Sequence, residues 1–197
     1  ERMEVFLVGD YIYNDTTEKT SNKILESMED LHKLDFINIP MNTLEEQKKQ
    51  LEGMDPENKS EEEPDEESGQ NIHSLDPQLD MAGQQKLMVM MGSQSGDIFI
   101  FETERYKLYA KQGAFMPLEG YVDEIKDVLT DEEVLETLKV KAGDDDESRL
   151  YALPADSIEA FEGTGYDMED KVPCIMAYSK KPEKAWKVAK WLLEGNK

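Results

Sequence analysis

Apolar residues along this chain fall into two alternating patterns. Short, mainly apolar runs bounded by Gly, Pro or charged residues are typical of buried strands, and they cover residues 3–10, 36–40, 96–101, 150–154 and 173–179. Between them, apolar residues recur every three or four positions, which predicts helices at about 16–31, 78–91, 103–112, 121–138 and 182–194. The alternation predicts an α/β fold with a mostly parallel sheet covered on both faces.

The helix at residues 78–91 has a clear start signal, because Asp76 is an N-cap candidate and Pro77 suits the first helical position. Its long apolar side chains are Met81, Leu87, Met88, Met90 and Met91. A soft-metal or promiscuous binding face is one interpretation of these methionines. Core packing is the favoured one, because Met fills irregular gaps and neither Cys nor His accompanies them.

The composition changes between residues 43 and 77, where positions 61–69 carry almost no apolar side chain. Like charges repel one another, and such a stretch has no apolar surface to offset the entropy of ordering. We therefore expect one α/β domain over residues 1–197 with a mobile acidic insertion at about 55–75. A calcium-binding or partner-binding role for this insertion is the alternative.

Charge and cysteine content exclude several classes of function. The 197 residues carry a net charge of −23, which repels a nucleic-acid backbone and disfavours direct contact with an anionic membrane. The single cysteine, Cys174, rules out an internal disulfide and a Cys-based zinc cluster, and its place in an apolar run predicts a core residue. The sequence opens at Glu1 and not at Met, which is compatible with a removed signal peptide or membrane anchor.

No catalytic motif emerges from the sequence. It has no Gly-rich phosphate loop, no Gly-x-Ser-x-Gly elbow, no paired-His motif and no EF-hand loop. The acidic run 144–146 lacks the spaced ligands of a calcium loop, and neither His32 nor His73 has a recognisable partner. We expect a protein that is not an enzyme and that needs no cofactor or metal.

Four segments, in chain order, resemble bacterial extracytoplasmic solute-binding proteins of the type II periplasmic class. Residues 81–100 resemble the family's helix and the Gly-Asp-apolar strand that follows it. Residues 109–118 match an aromatic, Ala-x-x-Gly, aromatic-x-Pro-Leu pattern, and residues 150–157 resemble the strand that enters the crossover between lobes. Residues 180–189 resemble the Lys-Pro-Glu-x-Ala-Trp start of a late helix.

The resemblance implies a single lobe of such a protein. It also implies an extracytoplasmic, cell-surface or membrane-anchored location, with an N-terminal anchor or signal removed. In the family a whole second lobe follows the Leu-Pro strand, whereas here only residues 158–172 precede the returning strand. It thus implies a three-layer αβα lobe with a five-stranded mixed sheet. Four strands would be parallel, and the strand at 173–179 would be antiparallel and inserted next to the third.

Two functional hypotheses follow from the resemblance. The first is a binding module that recognises a small molecule or peptide on half of the former cleft and works with a membrane transport or signalling protein. The second is a membrane-tethered interaction or scaffold domain that has lost solute binding. In the second, the old cleft face packs on another protein or forms a homodimer.

Candidate site residues follow from the rule that open α/β sheets bind ligands beyond the carboxyl ends of their strands. The residues that follow the predicted strand ends are Asp10, Tyr11, Tyr13, Asn42, Glu102, Asp156 and Ser157. We expect them to line one common face. The tyrosines offer flat surfaces for stacking, and the carboxylates favour a cationic or hydroxyl-rich ligand.

Overall fold

A computed structural model of the chain describes residues 1–10, 12, 16–53, 75–127, 132–143, 145–155 and 158–194. Its strands are β1 (Arg2–Gly9), β2 (Lys33–Pro40), β3 (Ile98–Glu102), β4 (Lys139–Val140), β5 (Arg149–Leu150) and β6 (Lys171–Ile175). Its α-helices are α1 (Thr16–Ser27), α2 (Leu44–Gly53), α3 (Pro77–Gly92), α4 (Thr103–Ala110), α5 (Glu132–Leu138) and α6 (Pro182–Glu194). Short 3₁₀ helices cover Val122–Ile125 and Glu159–Phe161. The predicted acidic insertion lies almost wholly outside the described residues.

The core of the fold is a mixed sheet in the order β2-β1-β3-β6. Strands β1, β2 and β3 run parallel, and β6 runs antiparallel to β3. Residues Met3 and Val5 to Val8 of β1 are at most 1% exposed, and every residue of β3 and β6 is buried. Successive strand residues point to opposite faces, so both faces of the sheet are covered. The predicted α/β class, with helices on both faces of a mostly parallel sheet, is confirmed.

The structure corrects the prediction of a fifth strand in this sheet. The described sheet has four strands, and residues 150–154 touch it through one isolated antiparallel bridge between Ala152 and Cys174. Strand β5, which includes Leu150, pairs instead with β4 in a separate two-stranded sheet. The direction and place of β6 next to β3 agree with the prediction, and only the extent of the neighbouring strand was wrong.

Competing backbone partners explain why this strand stays short. The carbonyl of Leu150 accepts a hydrogen bond from the Leu118 amide (2.8 Å), and its amide donates to the carboxylate of Glu119 (2.7 Å). The backbone at the carboxyl end of β6 also has another partner, because the Met116 amide donates a hydrogen bond to the Ile175 carbonyl (3.0 Å). Pro154 has no N–H to extend the ladder in the other direction.

The predicted core packing of α3 is confirmed for Leu87 and in part for Met90 and Met91, which pack against the core, and is wrong for Met81 and Met88. The buried residues of this helix are Asp80, Gly83 and Leu87, whereas Met81 is 61% and Met88 is 64% exposed. A Cβ on Gly83 would lie 2.0 Å from the Pro40 carbonyl oxygen, so the helix backbone rests directly on the end of β2. This contact fixes which face of α3 packs, and it turns Met81 and Met88 outward.

The predicted acidic helix at 121–138 is also divided differently. It contains the short 3₁₀ helix Val122–Ile125 and helix α5, and residues 128–131 between them lie outside the described part of the chain.

Candidate functional site at the carboxyl edge of the sheet

Tyr166 fills the crevice between the carboxyl ends of β1 and β3. Its hydroxyl donates to the Val8 carbonyl at 2.9 Å and lies 3.3 Å from the Ile100 carbonyl. Burial raises the pKa of this hydroxyl well above its usual value, and the charges of Asp10 and Glu102 act in the same direction. The group therefore stays a neutral donor. In a sheet of order β2-β1-β3, this crevice is the topological switch point where open α/β folds usually bind ligands.

Lys171 lies between the Tyr166 ring and the more exposed carboxylate of Asp10. Its ammonium lies 2.8 Å from an Asp10 carboxylate oxygen, donates to the Asp167 carbonyl at 2.7 Å, and sits 4.9 Å above the centre of the Tyr166 ring. The Lys171 side chain is only 7% exposed, whereas that of Asp10 is 44% exposed. Gly9 permits this approach, because a Cβ there would lie 2.9 Å from Lys171 Cε. Asp10 is thus the accessible member of the pair.

An open cleft of about 490 Å³ has Lys171 in its lining. Its polar lining includes Thr103, Thr137, Glu169 and Asp170, and its apolar lining includes Leu138. The amide and hydroxyl of Thr103 both donate to the Asp170 carbonyl, at 2.9 and 3.2 Å, which fixes that wall. The cleft therefore combines hydroxyls, carboxylates and apolar surface.

A smaller cleft of about 260 Å³ is lined by Phe161, Tyr166 and Asp167. Glu169 lines both clefts. The segment 158–171, here called the partition, therefore contributes residues to the lining of both clefts.

The residues predicted for the site are only partly brought together. Asp10 lies at the edge beside Lys171, but Asn42 is 2% and Glu102 is 5% exposed. Tyr11, Tyr13, Asp156 and Ser157 lie outside the described residues, so their place in a site stays a prediction.

Asn42 and Glu102 belong to one buried hydrogen-bond network. A Glu102 carboxylate oxygen accepts from Arg105 Nε at 2.8 Å and from the Leu44 amide at 3.2 Å. Arg105 also donates to the Asn42 carbonyl at 2.8 Å. The Asn42 amide in turn donates to Asp80 at 2.7 Å. This network holds α2, α3 and α4 against the ends of β2 and β3.

Sequence reasoning missed Tyr166, Lys171 and the threonines of the larger cleft. The available signal was the shortness of the segment 158–172, which must cross the carboxyl edge to connect residue 154 with β6. Its aromatic residues were therefore placed near the predicted site by topology alone.

The described residues offer little for catalysis. Among them, no group of three or more His, Cys, Asp or Glu side chains could hold a metal ion. Cys174 is buried, and burial raises the pKa of its thiol well above the usual value, so it stays protonated. None of the helices in the described part of the chain is both long and apolar enough to span a membrane.

No family model and no curated protein matches the sequence. Solved structures similar to it include an extracellular solute-binding protein family 1 from Alicyclobacillus acidocaldarius, at 15% identity over 79% of this chain and 28% of that one, with a TM-score of 0.46. Another is an ABC substrate-binding protein from Listeria monocytogenes in complex with cycloalternan, at 12% identity over 79% of this chain and 29% of that one, with a TM-score of 0.46.

A third similar structure is the N-glycan transport solute binding protein of Streptococcus pneumoniae in complex with Man5GlcNAc. It is 14% identical over 78% of this chain and 24% of that one, with a TM-score of 0.41. The chain thus spans only 24–29% of the length of these three proteins. All three are solute-binding or substrate-binding proteins by name, as are the proteins that the sequence motifs resemble.

Proposed function

We propose that this chain is a non-catalytic binding module whose ligand site is the 490 Å³ cleft between Thr103, α5 and the segment 169–172. The observation that carries the proposal is the position of this cleft at the carboxyl end of β3, next to a crevice that Tyr166 already fills. Ligand sites in α/β sheets lie beyond these strand ends, and of the two clefts described above at this edge it is the larger.

The ligand class follows from the lining. Carboxylates of Glu169 and Asp170 disfavour an anion, and the hydroxyls of Thr103 and Thr137 suit a hydroxyl-rich molecule. We therefore propose a sugar-like, amine-bearing or peptide ligand. An open cleft holds such a ligand weakly, with a Kd on the order of 100 µM or higher.

The surroundings of the module are proposed on the sequence resemblance alone. They are an extracytoplasmic, membrane-associated setting and a transport or signalling partner. A single domain over residues 1–197 belongs to the same proposal.

The second candidate is a protein-interaction or scaffold domain without solute binding. It is favoured by Tyr166, which occupies the switch-point crevice with a side chain of the chain itself. Under this alternative the carboxyl edge packs on another protein or on a second copy.

A titration of the ¹⁵N-labelled chain separates the two candidates. The probes are maltotriose, spermidine and a mixed tripeptide, followed by amide chemical shifts. Binding at the cleft predicts saturable shifts confined to residues 103–105, 132–139 and 168–172. Glu169→Gln should weaken them, and Glu147→Gln, an exposed glutamate outside the cleft, should leave them unchanged. Absence of saturable shifts with all three probes, together with a dimer in analytical ultracentrifugation, would favour the scaffold.

A further inference from the structure

A further cleft lies at the amino edge of the sheet, at the opposite end of β1 and β3 from the proposed ligand site. It is here called the amino-edge cleft. It has a volume of about 410 Å³ and lies between the start of β1, the loop 93–97 and the loop 178–181. Three cations line it, Arg2, Lys180 and Lys181. On a chain with a net charge of −23 such a grouping is unusual, because Asp and Glu outnumber Lys and Arg by 45 to 22.

The two carboxylates in this cleft are already engaged. Asp97 accepts from the Ser179 hydroxyl at 2.8 Å and from the Glu4 amide at 3.4 Å. Glu4 pairs with Arg2 at 2.9 Å, and Arg2 also pairs with Asp35 at 2.8 Å, so the charge of Arg2 is already offset. Asp97 keeps its negative charge, because both of its donors are neutral. Neither Glu4 nor Asp97 pairs with the lysines, since Lys180 and Lys181 make no ion pair with any described residue.

The lysines differ in how they are held. Lys181 donates its ammonium to the Arg2 carbonyl, so its charge is fixed at the mouth of the cleft. Lys180 is exposed, and its ammonium makes no hydrogen bond or ion pair with the described part of the chain. An anion can therefore contact both lysines without breaking an existing ion pair of either.

Neutral hydroxyls complete the lining. Gln94, two residues after the end of α3, has a left-handed conformation (φ 55°). The Ser93 hydroxyl donates to the Met90 carbonyl at 3.1 Å and lies 2.9 Å from the Ser95 hydroxyl. The last carbonyls of α3 do not face the cleft unpaired, because the amides of Ser93, Gln94 and Ser95 donate to residues 89–91. Tyr178 donates its hydroxyl to the Ser95 carbonyl at 2.8 Å and holds the two loops together.

We propose that this amino-edge cleft binds a small multivalent anion bearing carboxylate or phosphate groups. The ammonium groups of Lys180 and Lys181 contact its charged oxygens. The site is separate from the one proposed at the carboxyl edge, so either can fail without the other. Charge-assisted hydrogen bonds of this kind are the strong ones in proteins.

The test is an NMR titration of the full ¹⁵N-labelled chain with citrate and with inorganic phosphate, at constant pH and ionic strength. Saturable shifts are expected at amides 93–97 and 178–181. The double variant K180A/K181A should bind at least about tenfold more weakly, whereas K187A, an exposed lysine of α6 outside the cleft, should bind like the parent.

Each outcome decides the proposal. Saturation by only one of the two probes assigns the carboxylate or the phosphate class. The proposal is overturned if neither probe saturates, if K180A/K181A and K187A weaken binding equally, or if the shifts spread over lysines across the surface. K180Q keeps every contact of the described structure, and its weaker binding would exclude a folding defect as the cause.

Discussion

The hydroxyl of Tyr166 donates a hydrogen bond to the carbonyl of Val8, 158 positions earlier in the chain. The bond connects the segment before β6 to the carboxyl end of β1. The same hydroxyl lies near the Ile100 carbonyl of β3. This side chain holds the partition at the carboxyl edge together with the contacts of Lys171 to Asp10 and of Thr103 to the Asp170 carbonyl.

Tyr166→Phe should destabilise the fold while keeping the ring in place. It leaves the buried Val8 carbonyl without its donor, at a cost of about 1–3 kcal/mol in the free energy of unfolding. Urea denaturation measures this loss. Tyr109→Phe is the matched control, because the Tyr109 hydroxyl makes no hydrogen bond in the described part of the chain, and it should cost much less. Equal effects would show that the hydrogen bond does not hold the partition.

Alkaline pH should destabilise the protein through its buried tyrosines. Burial raises the pKa of Tyr178 to about 12 and raises the pKa of Tyr106 and Tyr166 above their usual value near 10. The raised pKa means that the folded state holds these protons more tightly than the unfolded state. Stability is therefore full below pH 10 and falls as pH rises above it.

Urea denaturation at pH 8 to 11.5 tests this expectation, with phenolate absorbance as the second readout. The Tyr166→Phe variant should show a shallower loss of stability with pH than the parent. If all eight tyrosines ionise near pH 10 before the protein unfolds, the burial argument is wrong.

Gly9→Ala should be strongly destabilising for two separable reasons. The backbone of Gly9 has φ 129°, which a Cβ disfavours, and that Cβ would lie 2.9 Å from Lys171 Cε. We expect a loss of about 1–3 kcal/mol. In a double-mutant cycle with Lys171→Ala the steric part should disappear and the backbone part should remain. Strict additivity would show that Lys171 does not pack on Gly9.

Glu102→Ala should act on folding and not on ligand binding. It leaves the buried Arg105 guanidinium unpaired, and removing one partner of a buried ion pair typically costs about 3–5 kcal/mol. Glu104→Ala, on an exposed glutamate of α4, is the control and should be nearly neutral. A Glu102→Ala variant as stable as the parent would free this residue for the ligand role predicted from sequence.

Deleting residues 57–70 should leave the melting temperature nearly unchanged. The expectation rests on their composition, which offers no apolar surface for packing. A calorimetric scan of the deletion variant measures the change. A fall of more than about 5 °C would show that this acidic segment packs on the domain.

The local pattern of apolar and polar residues was sufficient to predict most of the helices and strands. Helix α6 has the predicted bounds, and the buried strands β1 and β3 lie where continuous apolar runs predict them. The extent of the fifth strand was beyond such reasoning. It depends on which groups bond the backbone of Leu150, and these are Leu118 and Glu119, 31 or more positions away.

The outward methionines of α3 illustrate a different limit. The number of apolar residues predicted a core position for Met81 and Met88. Gly83 rests on Pro40, however, so the face of α3 that packs is the one with Gly83, and these two methionines point away from it. The same holds for the site. The strand-end rule placed Asp10 at the carboxyl edge, but its partner Lys171 lies 161 positions later, and no local pattern connects the two.

The side chain of Tyr166 competes with any molecule that would bind in the crevice between β1 and β3. A side chain tethered to the same polypeptide is an internal competitor whose effective concentration is on the order of millimolar. A free molecule reaches this crevice only by outcompeting a group that never diffuses away. Selection for a new ligand would then act first on residue 166, because replacing this one ring with a small side chain removes the competitor.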